Sequence, residues 1–189
     1  MEDYGSDAPD IRFELKLEDI SDIASECELR VFNEVVEKGG IVKAICVPDG
    51  AEFSRKELDD LTEFSKIYGA KGMAWIKRNQ DGWQSPISKF FTDVQKKALE
   101  ERVGLNQGDL VLFCADKEKI VFDTLGNLRK EIARRRGLID QNEFRFAWVT
   151  EFPLFEYSDE EKSYTSSHHP FTMPDLDDLE KYEDNAPEK

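Results

Sequence analysis

The stretch LVLFCADKEKIVFDTLGNLRKEIARRRG, residues 110–137, combines a strand pattern with a helix pattern. Leu110–Cys114 is a continuous apolar run, which predicts a buried strand. We expect Asp116 to cap the following helix and Gly137 to end it. Apolar residues recur along that helix at i, i+4, i+7 and i+11, namely Val121, Leu125, Leu128 and Ile132. This spacing predicts one buried helix face.

Two further helices are predicted upstream by capping boxes. Ser54 with Glu57 and Thr92 with Gln95 each place a hydroxyl three residues before a Glu or Gln, which can satisfy free amides at a helix start. We expect the helix ends at Gly69 and Gly104, where glycine accepts a left-handed conformation. The apolar residues expected to face inward from the second helix are Val94, Ala98 and Leu99.

Three more segments have strand patterns: 42–47, 73–77 and 144–150. Asp81-Gly82 lies between the second of these and Trp83, which is typical of a hairpin turn. Strands and helices therefore alternate irregularly with hairpin-like connections. This order predicts an α+β fold with a two-layer arrangement of sheet and helices.

The charge of the chain is concentrated at its two ends. The 189 residues include 26 Lys+Arg and 41 Asp+Glu, for a net charge of −15. Residues 1–28 and 156–189 each sum to −8, while residues 29–155 sum to +1. The composition thus predicts a near-neutral central domain with acidic flanks. Such a balance argues against a free nucleic-acid binder, because phosphate contact requires a basic surface.

Several function classes are excluded by the composition. Apolar runs are far shorter than the roughly 20 residues of a transmembrane helix, and no secretory signal opens the sequence. We therefore expect a cytoplasmic location without membrane contact. Cys27, Cys46 and Cys114 form no Cys-x-x-Cys pair and are expected to be buried structural thiols.

Arg134-Arg135-Arg136 is the only basic run. One interpretation is a solvated last helical turn whose positive charges suit the negative end of the helix dipole. The other is a local contact to an RNA backbone. By contrast, the glycine-rich segment 69–72 matches no phosphate-binding motif and is expected to be a simple connection.

His168 and His169 are the only histidines. Adjacent residues on an extended segment point to opposite sides, so the pair is not expected to chelate one metal ion. Either side chain could donate a hydrogen bond or a positive charge to an anionic ligand, or have a surface role only. No catalytic residue and no metal ligand can be assigned from the residues alone.

Three motifs, in this order, resemble signatures of bacterial aspartyl-tRNA synthetases. They are YGSDAPDIR at 4–12, WVTEFPLFE at 148–156 and HHPFTMP at 168–174. Between the first two, segments 64–77 and 85–90 resemble the GAD domain that is inserted in these enzymes. The resemblance departs at Ala8, where lysine is usual, and at Glu151, where aspartate is usual.

The resemblance implies a domain division. Residues 1–12 would be a catalytic-domain flank and residues 13–147 the GAD insertion, with a fold like that of the dimerisation cofactor family. Residues 148–189 would be a second flank, with a mobile histidine loop and an acidic tail. The flanks would belong to the antiparallel catalytic domain of a class II synthetase. The chain would then be part of a longer enzyme, inactive alone because the two arginine-bearing ATP motifs are absent.

The resemblance also implies a function. The parent would activate L-aspartate with ATP and magnesium, transfer it to tRNA, and act as a homodimer. His168 and His169 match the histidines of the loop that closes over aspartate, and Arg134, Arg135 and Arg136 could contact tRNA. The insertion itself would have a structural role or contact the tRNA acceptor end. The alternative is a stand-alone, non-catalytic RNA- or protein-binding module that shares the GAD domain.

Overall fold

The computed structural model describes residues 1–150, 155–158 and 161–166. The chain divides into two compact units, residues 1–146 and residues 147–189. The first unit contains five strands: β1 (Leu17–Asp19), β2 (Ile41–Val47), β3 (Ala74–Asn79), β4 (Gly82–Gln84) and β5 (Leu110–Asp116). Its five helices are α1 (Ser21–Glu26), α2 (Arg30–Glu37), α3 (Arg55–Lys66), α4 (Asp93–Val103) and α5 (Glu118–Arg136).

The five strands form one antiparallel sheet in the order β1-β2-β5-β3-β4. At its centre, β2 pairs with β5 over seven residues, with Ile45 opposite Leu112 and Ala44 opposite Phe113. Because side chains alternate along a strand, neighbouring pairs face opposite sides of the sheet. The two central strands are therefore apolar on both faces.

Helices cover both faces of this sheet. One hydrophobic cluster joins Ile45 and Leu112 to residues of α3 and α5. The other joins Ala44 and Phe113 to residues of α1, α2 and α4. The predicted α+β class is confirmed, but the helices form a layer on each face, one layer more than predicted. The central strands carry continuous apolar runs, so both of their faces must be covered, and this requires the second helical layer.

The local helix signals are largely confirmed. Both capping boxes form, with the Ser54 and Thr92 side chains accepting bonds from the amides of Glu57 and Gln95. Gly104 and Gly137 end α4 and α5 in the left-handed conformation, as predicted. Helix α3 instead ends at Lys66, and Gly69 lies in the following loop at φ +92°.

Two predictions at helix starts are wrong. Asp116 does not cap α5, because its pairing with Ile41 keeps it in β5. Its carboxylate accepts a bond from the Lys117 amide, and Lys117 occupies the N-cap position. Val94 is 79% exposed, because the buried stripe of α4 is Leu99 and Val103, at i and i+4.

The predicted strand at 144–150 is also wrong. The structure forms no strand over these residues, and no described strand pairs with them. Phe144 and Phe146 are 82% and 94% exposed. The apolar alternation is present in the sequence, but no neighbouring strand in the described part of the chain supplies the hydrogen bonds that a strand requires.

The second unit contains a described hairpin of β6 (Phe155–Ser158) and β7 (Ser163–Ser166). Tyr157 pairs with Tyr164 across it, and the two rings meet edge to face at 5.4 Å. The assignment of residues 13–147 to an insertion, and of residues 1–12 and 148–189 to two catalytic flanks, stays a prediction. Among the described helices, none is both long and apolar enough to cross a membrane.

Candidate functional site

The arginine run lies at the C-terminal end of α5, where positive charge is favourable to the helix dipole. Two of its members share one carboxylate. Arg134 donates to both oxygens of Glu131, at 2.9 and 2.8 Å, and Arg135 donates to Oε1 at 2.7 Å. The hydrogen bond from Arg134, supported by Arg135, lowers the pKa of Glu131 to about 2. The run is therefore partly neutralised from within its own helix.

The three arginines differ in their availability to a ligand. The Arg134 side chain is 70% exposed and that of Arg135 only 29%. Arg136 donates to the main-chain carbonyl of Pro48, which ties the end of α5 to the turn after β2. Arg134 is consequently the member most open to a phosphate, whereas Arg136 has a structural contact.

Further cations lie around Trp75 on β3. Arg55 and Lys77 approach its ring at 5.9 and 6.0 Å from the centroid, within cation–π range. Lys77 also donates to the carbonyl of Phe53, and its desolvation lowers its pKa. These contacts combine an aromatic face with positive charge, which are two elements of nucleic-acid binding surfaces.

Glu57 connects this cluster to the arginine run. Its pKa is lowered first by the hydrogen bond from the Ser54 amide and further by the charges of Arg135 and Lys77. We name the surface formed by Arg55, Lys77, Arg134, Arg135 and Arg136 the basic patch. Carboxylates lie among its cations, including Glu57, Glu131 and Asp59, which pairs with Arg55 at 3.1 Å. The net local charge is only weakly positive, so salt should readily weaken a phosphate contact here.

Residues 69–72 form the connection between α3 and β3, as predicted. Lys71 pairs with Asp116 at 3.5 Å. No helix begins directly after the loop, so it lacks the helix N-terminus that phosphate-binding loops use.

His168 and His169 lie outside the described residues, and their predicted contact to aspartate stays a prediction. Within the part of the chain that the structure describes, no group of three or more His, Cys, Asp or Glu side chains could hold a metal ion.

The three cysteines are free thiols. Desolvation raises the pKa of Cys114 to about 12 and, together with the charge of Asp109, raises that of Cys46 to about 12. Burial also raises the pKa of Cys27. Since the thiolate is the reactive form, these groups are suited to packing rather than to nucleophilic chemistry. The prediction of buried thiols is confirmed for Cys27 and Cys114, whereas Cys46 is only partly buried.

Among the buried polar residues that sequence reasoning missed is Arg129 on α5, which is 1% exposed. It contacts the segment that carries the first of the three motifs. A signal was present in the sequence: Phe122, Gly126 and Arg129 recur at i, i+4 and i+7. This spacing defines a second face of α5, beside the apolar face that was predicted.

Comparisons with known proteins match residues 32–125 to the GAD domain. The chain is 54% identical over 180 residues to the "Aspartate--tRNA(Asp/Asn) ligase" of Desulfosudis oleivorans, covering 95% of this chain and 30% of that protein. It is 52% identical over 189 residues to the protein of the same name from Natranaerobius thermophilus, covering 100% and 32%. The "Aspartate--tRNA ligase" of Staphylococcus carnosus is 49% identical over 190 residues, again covering 100% and 32%. The chain thus spans about a third of the length of these relatives.

Proposed function

We propose that this chain is one part of a bacterial aspartate–tRNA ligase. Residues 32–125 match the GAD domain, and the chain is about half identical to such ligases along its whole length. The complete enzyme would activate L-aspartate with ATP and transfer it to tRNA. The identity over 180 to 190 residues is the observation that carries this proposal, because it extends beyond the GAD domain into both flanks.

In this proposal the chain contributes an insertion domain and a histidine loop. His168 and His169 bind the aspartate substrate, since an imidazole that donates a hydrogen bond or carries a proton can recognise a carboxylate. A loop that closes over the substrate also excludes water. ATP and magnesium act in the longer enzyme, which is a cytoplasmic homodimer.

The basic patch is the proposed tRNA contact of the insertion domain. Arg134 offers an exposed guanidinium, and Trp75 adds an aromatic face close to Arg55 and Lys77. Because five cations are interspersed with carboxylates, we expect a modest, salt-sensitive contact to the backbone rather than sequence readout.

The exposed apolar side chains of Phe144 and Phe146 support a partner surface supplied by the rest of the enzyme. Large aromatic side chains 82% and 94% exposed are unfavourable in water, and their alternation suits the edge of a sheet. We propose that the catalytic domain of the longer ligase supplies the sheet edge against which Phe144 and Phe146 pack.

The test is to express the full reading frame that encodes this chain and to measure ATP–pyrophosphate exchange. We expect exchange that depends on aspartate, with asparagine and glutamate as control amino acids. The 189-residue chain alone should give the rate of the protein-free blank, because the resemblance assigns the ATP-binding arginines to motifs absent from it. A reading frame that adds no residues, with tRNA or protein binding but no exchange, would instead favour the stand-alone module.

A further inference from the structure

Arg129 binds the N-terminal segment through main-chain atoms. Its guanidinium donates to the carbonyl oxygens of Asp10, Phe13, Glu14 and Leu15 at 3.0, 3.2, 2.8 and 3.1 Å. All four acceptors belong to the backbone, so the arginine recognises the path of the chain rather than any one side chain. These bonds link residues 114 to 119 positions apart in the sequence.

Aromatic rings enclose the same guanidinium. Its central carbon lies 4.7 Å from the centroid of Tyr4 and 4.3 Å from that of Phe13. Burial lowers the pKa of Arg129, but a guanidinium still keeps its charge at neutral pH. A buried charge with four carbonyl acceptors and two ring faces is a specific site, because removing the bound segment would leave that charge without its partners.

One turn earlier on α5, glycine permits close contact with the same segment. A β-carbon on Gly126 would lie 2.5 Å from the carbonyl oxygen of Gly5. A β-carbon on Gly5 would lie 2.5 Å from the carbonyl oxygen of Phe122, and Gly5 has φ +63°. Only glycine fits at either position without movement of the backbone. Phe122, Gly126 and Arg129 thus form one continuous face against residues 1–15.

Two further features fix the segment in register. Lys43 of β2 is 3% exposed, pairs with Glu2, and lies 5.2 Å from the ring centroid of Phe122. Leu15 has φ +55°, an uncommon conformation for leucine, and it turns its carbonyl into the Arg129 site. The segment is therefore held at both ends and in the middle.

We infer that Arg129 is a positioning residue: through it, helix α5 of the GAD domain fixes the Tyr4–Asp7 segment, and thereby the catalytic-domain motif to which that segment belongs. This inference rests on the proposed function, because the family resemblance makes residues 1–12, which carry the motif, a flank of the catalytic domain. A shift of about 1 Å in a supporting segment can lower the rate of an enzyme by two orders of magnitude.

The first experiment uses the 189-residue chain and needs no enzymatic activity. Amide hydrogen exchange is measured for Arg129→Met and for Lys130→Met, an exposed neighbour on the same helix, as the matched control. We expect exchange of residues 4–17 to rise at least about tenfold in Arg129→Met, with β2 and β5 unchanged. Equal protection of residues 4–17 in both variants would overturn the inference.

Gly126→Ala provides a second route if Arg129→Met does not fold. Alanine is the better helix former, so this change favours α5 itself while its β-carbon collides with the Gly5 carbonyl. We expect residues 4–17 to lose protection while the amides of α5 keep theirs. Retained protection of residues 4–17, with Arg129 in place, would show that the segment does not depend on this helix face.

The second experiment measures ATP–pyrophosphate exchange by the full-length ligase carrying Arg129→Lys, which keeps the charge but not the planar fork. We expect kcat to fall about tenfold or more, with the KM values for aspartate and ATP changed less, in assays at a temperature at which the variant is folded. Unchanged kcat would overturn the positioning role. Failure of the proposed function is distinct from this, because the unsubstituted full-length protein would then lack aspartate-dependent exchange.

Discussion

Arg12 donates a hydrogen bond to the main-chain carbonyl of Asp140 at 3.3 Å, which brings together the two ends of the central domain. The Arg12 guanidinium is itself oriented by an ion pair with the Asp10 carboxylate, with Nη2 and Oδ2 2.7 Å apart. Residues 9–12 also line one groove with Gln141 and residues 143–145. An inserted domain requires such neighbouring ends, because the host domain continues on both sides of it. The approach of Arg12 to Asp140 within the first unit is compatible with an inserted domain, whose assignment stays a prediction.

Limited proteolysis of the isolated chain should leave a resistant fragment that begins at the N-terminus and ends near residue 146. The reason is that residues 1–146 form one compact unit, with residues 1–15 held by Arg129 and Gly126. Mass spectrometry of an early time course identifies the ends of the fragment. A first cleavage within residues 1–16 would contradict the docking of that segment on α5.

In the full-length protein, which we propose to be a ligase, His168→Ala should raise the KM for aspartate more than the KM for ATP. The proposed contact is to the substrate carboxylate, and a lost charge-assisted hydrogen bond costs about 1.5–3 kcal/mol, or about 10-fold to 150-fold. Steady-state pyrophosphate exchange with each substrate varied in turn provides the measurement. The KM for ATP is the internal control, and equal effects on both substrates would argue against a specific aspartate contact.

Local signals in the sequence predicted local structure well. The capping boxes at Ser54 and Thr92 and the left-handed glycines 104 and 137 each depend on residues within a few positions. The strand 110–114 and the apolar face of α5 were equally evident, because burial imposes a regular spacing.

The errors and omissions arise from distant partners. The sequence position of Asp116 predicts a helix cap, yet pairing with Ile41 extends β5 through it. The Arg129 site was missed because its acceptors are backbone carbonyls more than 110 residues away. The arginine run was visible in the sequence, but its pairing with Glu131 and the proximity of Trp75, Arg55 and Lys77 require the fold.

Arg134→Ala should weaken tRNA binding more than Arg136→Ala does. The Arg134 side chain is 70% exposed, whereas Arg136 is bound to the Pro48 carbonyl. Loss of one phosphate contact should also reduce the steepness of the plot of log affinity against log salt concentration by about 0.7–0.9. Filter binding or anisotropy at several salt concentrations measures both quantities. Arg30→Ala is the matched control, because Arg30 also pairs with a glutamate on its helix but lies on α2, on the other face of the sheet.

Glu131→Gln should have the opposite effect on tRNA binding. Removal of this carboxylate releases Arg134 and Arg135 from their shared ion pair. We expect affinity to rise by about two- to fivefold, which corresponds to the cost of an exposed ion pair. Weaker binding by Glu131→Gln would contradict the tRNA contact at the arginine run, since the variant gains net positive charge there.

The stability of the chain should depend on Glu131 in acid. The hydrogen bond from Arg134, followed by that from Arg135, lowers the pKa of this carboxyl from 4.5 to about 2. A carboxyl with a lowered pKa in the folded state stabilises it fully above its unfolded pKa, and this contribution is lost as the pH falls through the folded pKa. The stabilisation by Glu131 is therefore lost between pH 4.5 and about 2.

Urea unfolding of the chain and of Glu131→Gln from pH 7 through this range measures the contribution of Glu131 to stability. We expect the variant to be less stable by about 0.5–1 kcal/mol at pH 7, because both pairs are near the surface. This difference should shrink towards zero near pH 2, and in an Arg134→Met, Arg135→Met background it should be small at every pH. A difference independent of pH in the unsubstituted background would mean that Glu131 stabilises α5 by packing rather than by its charge.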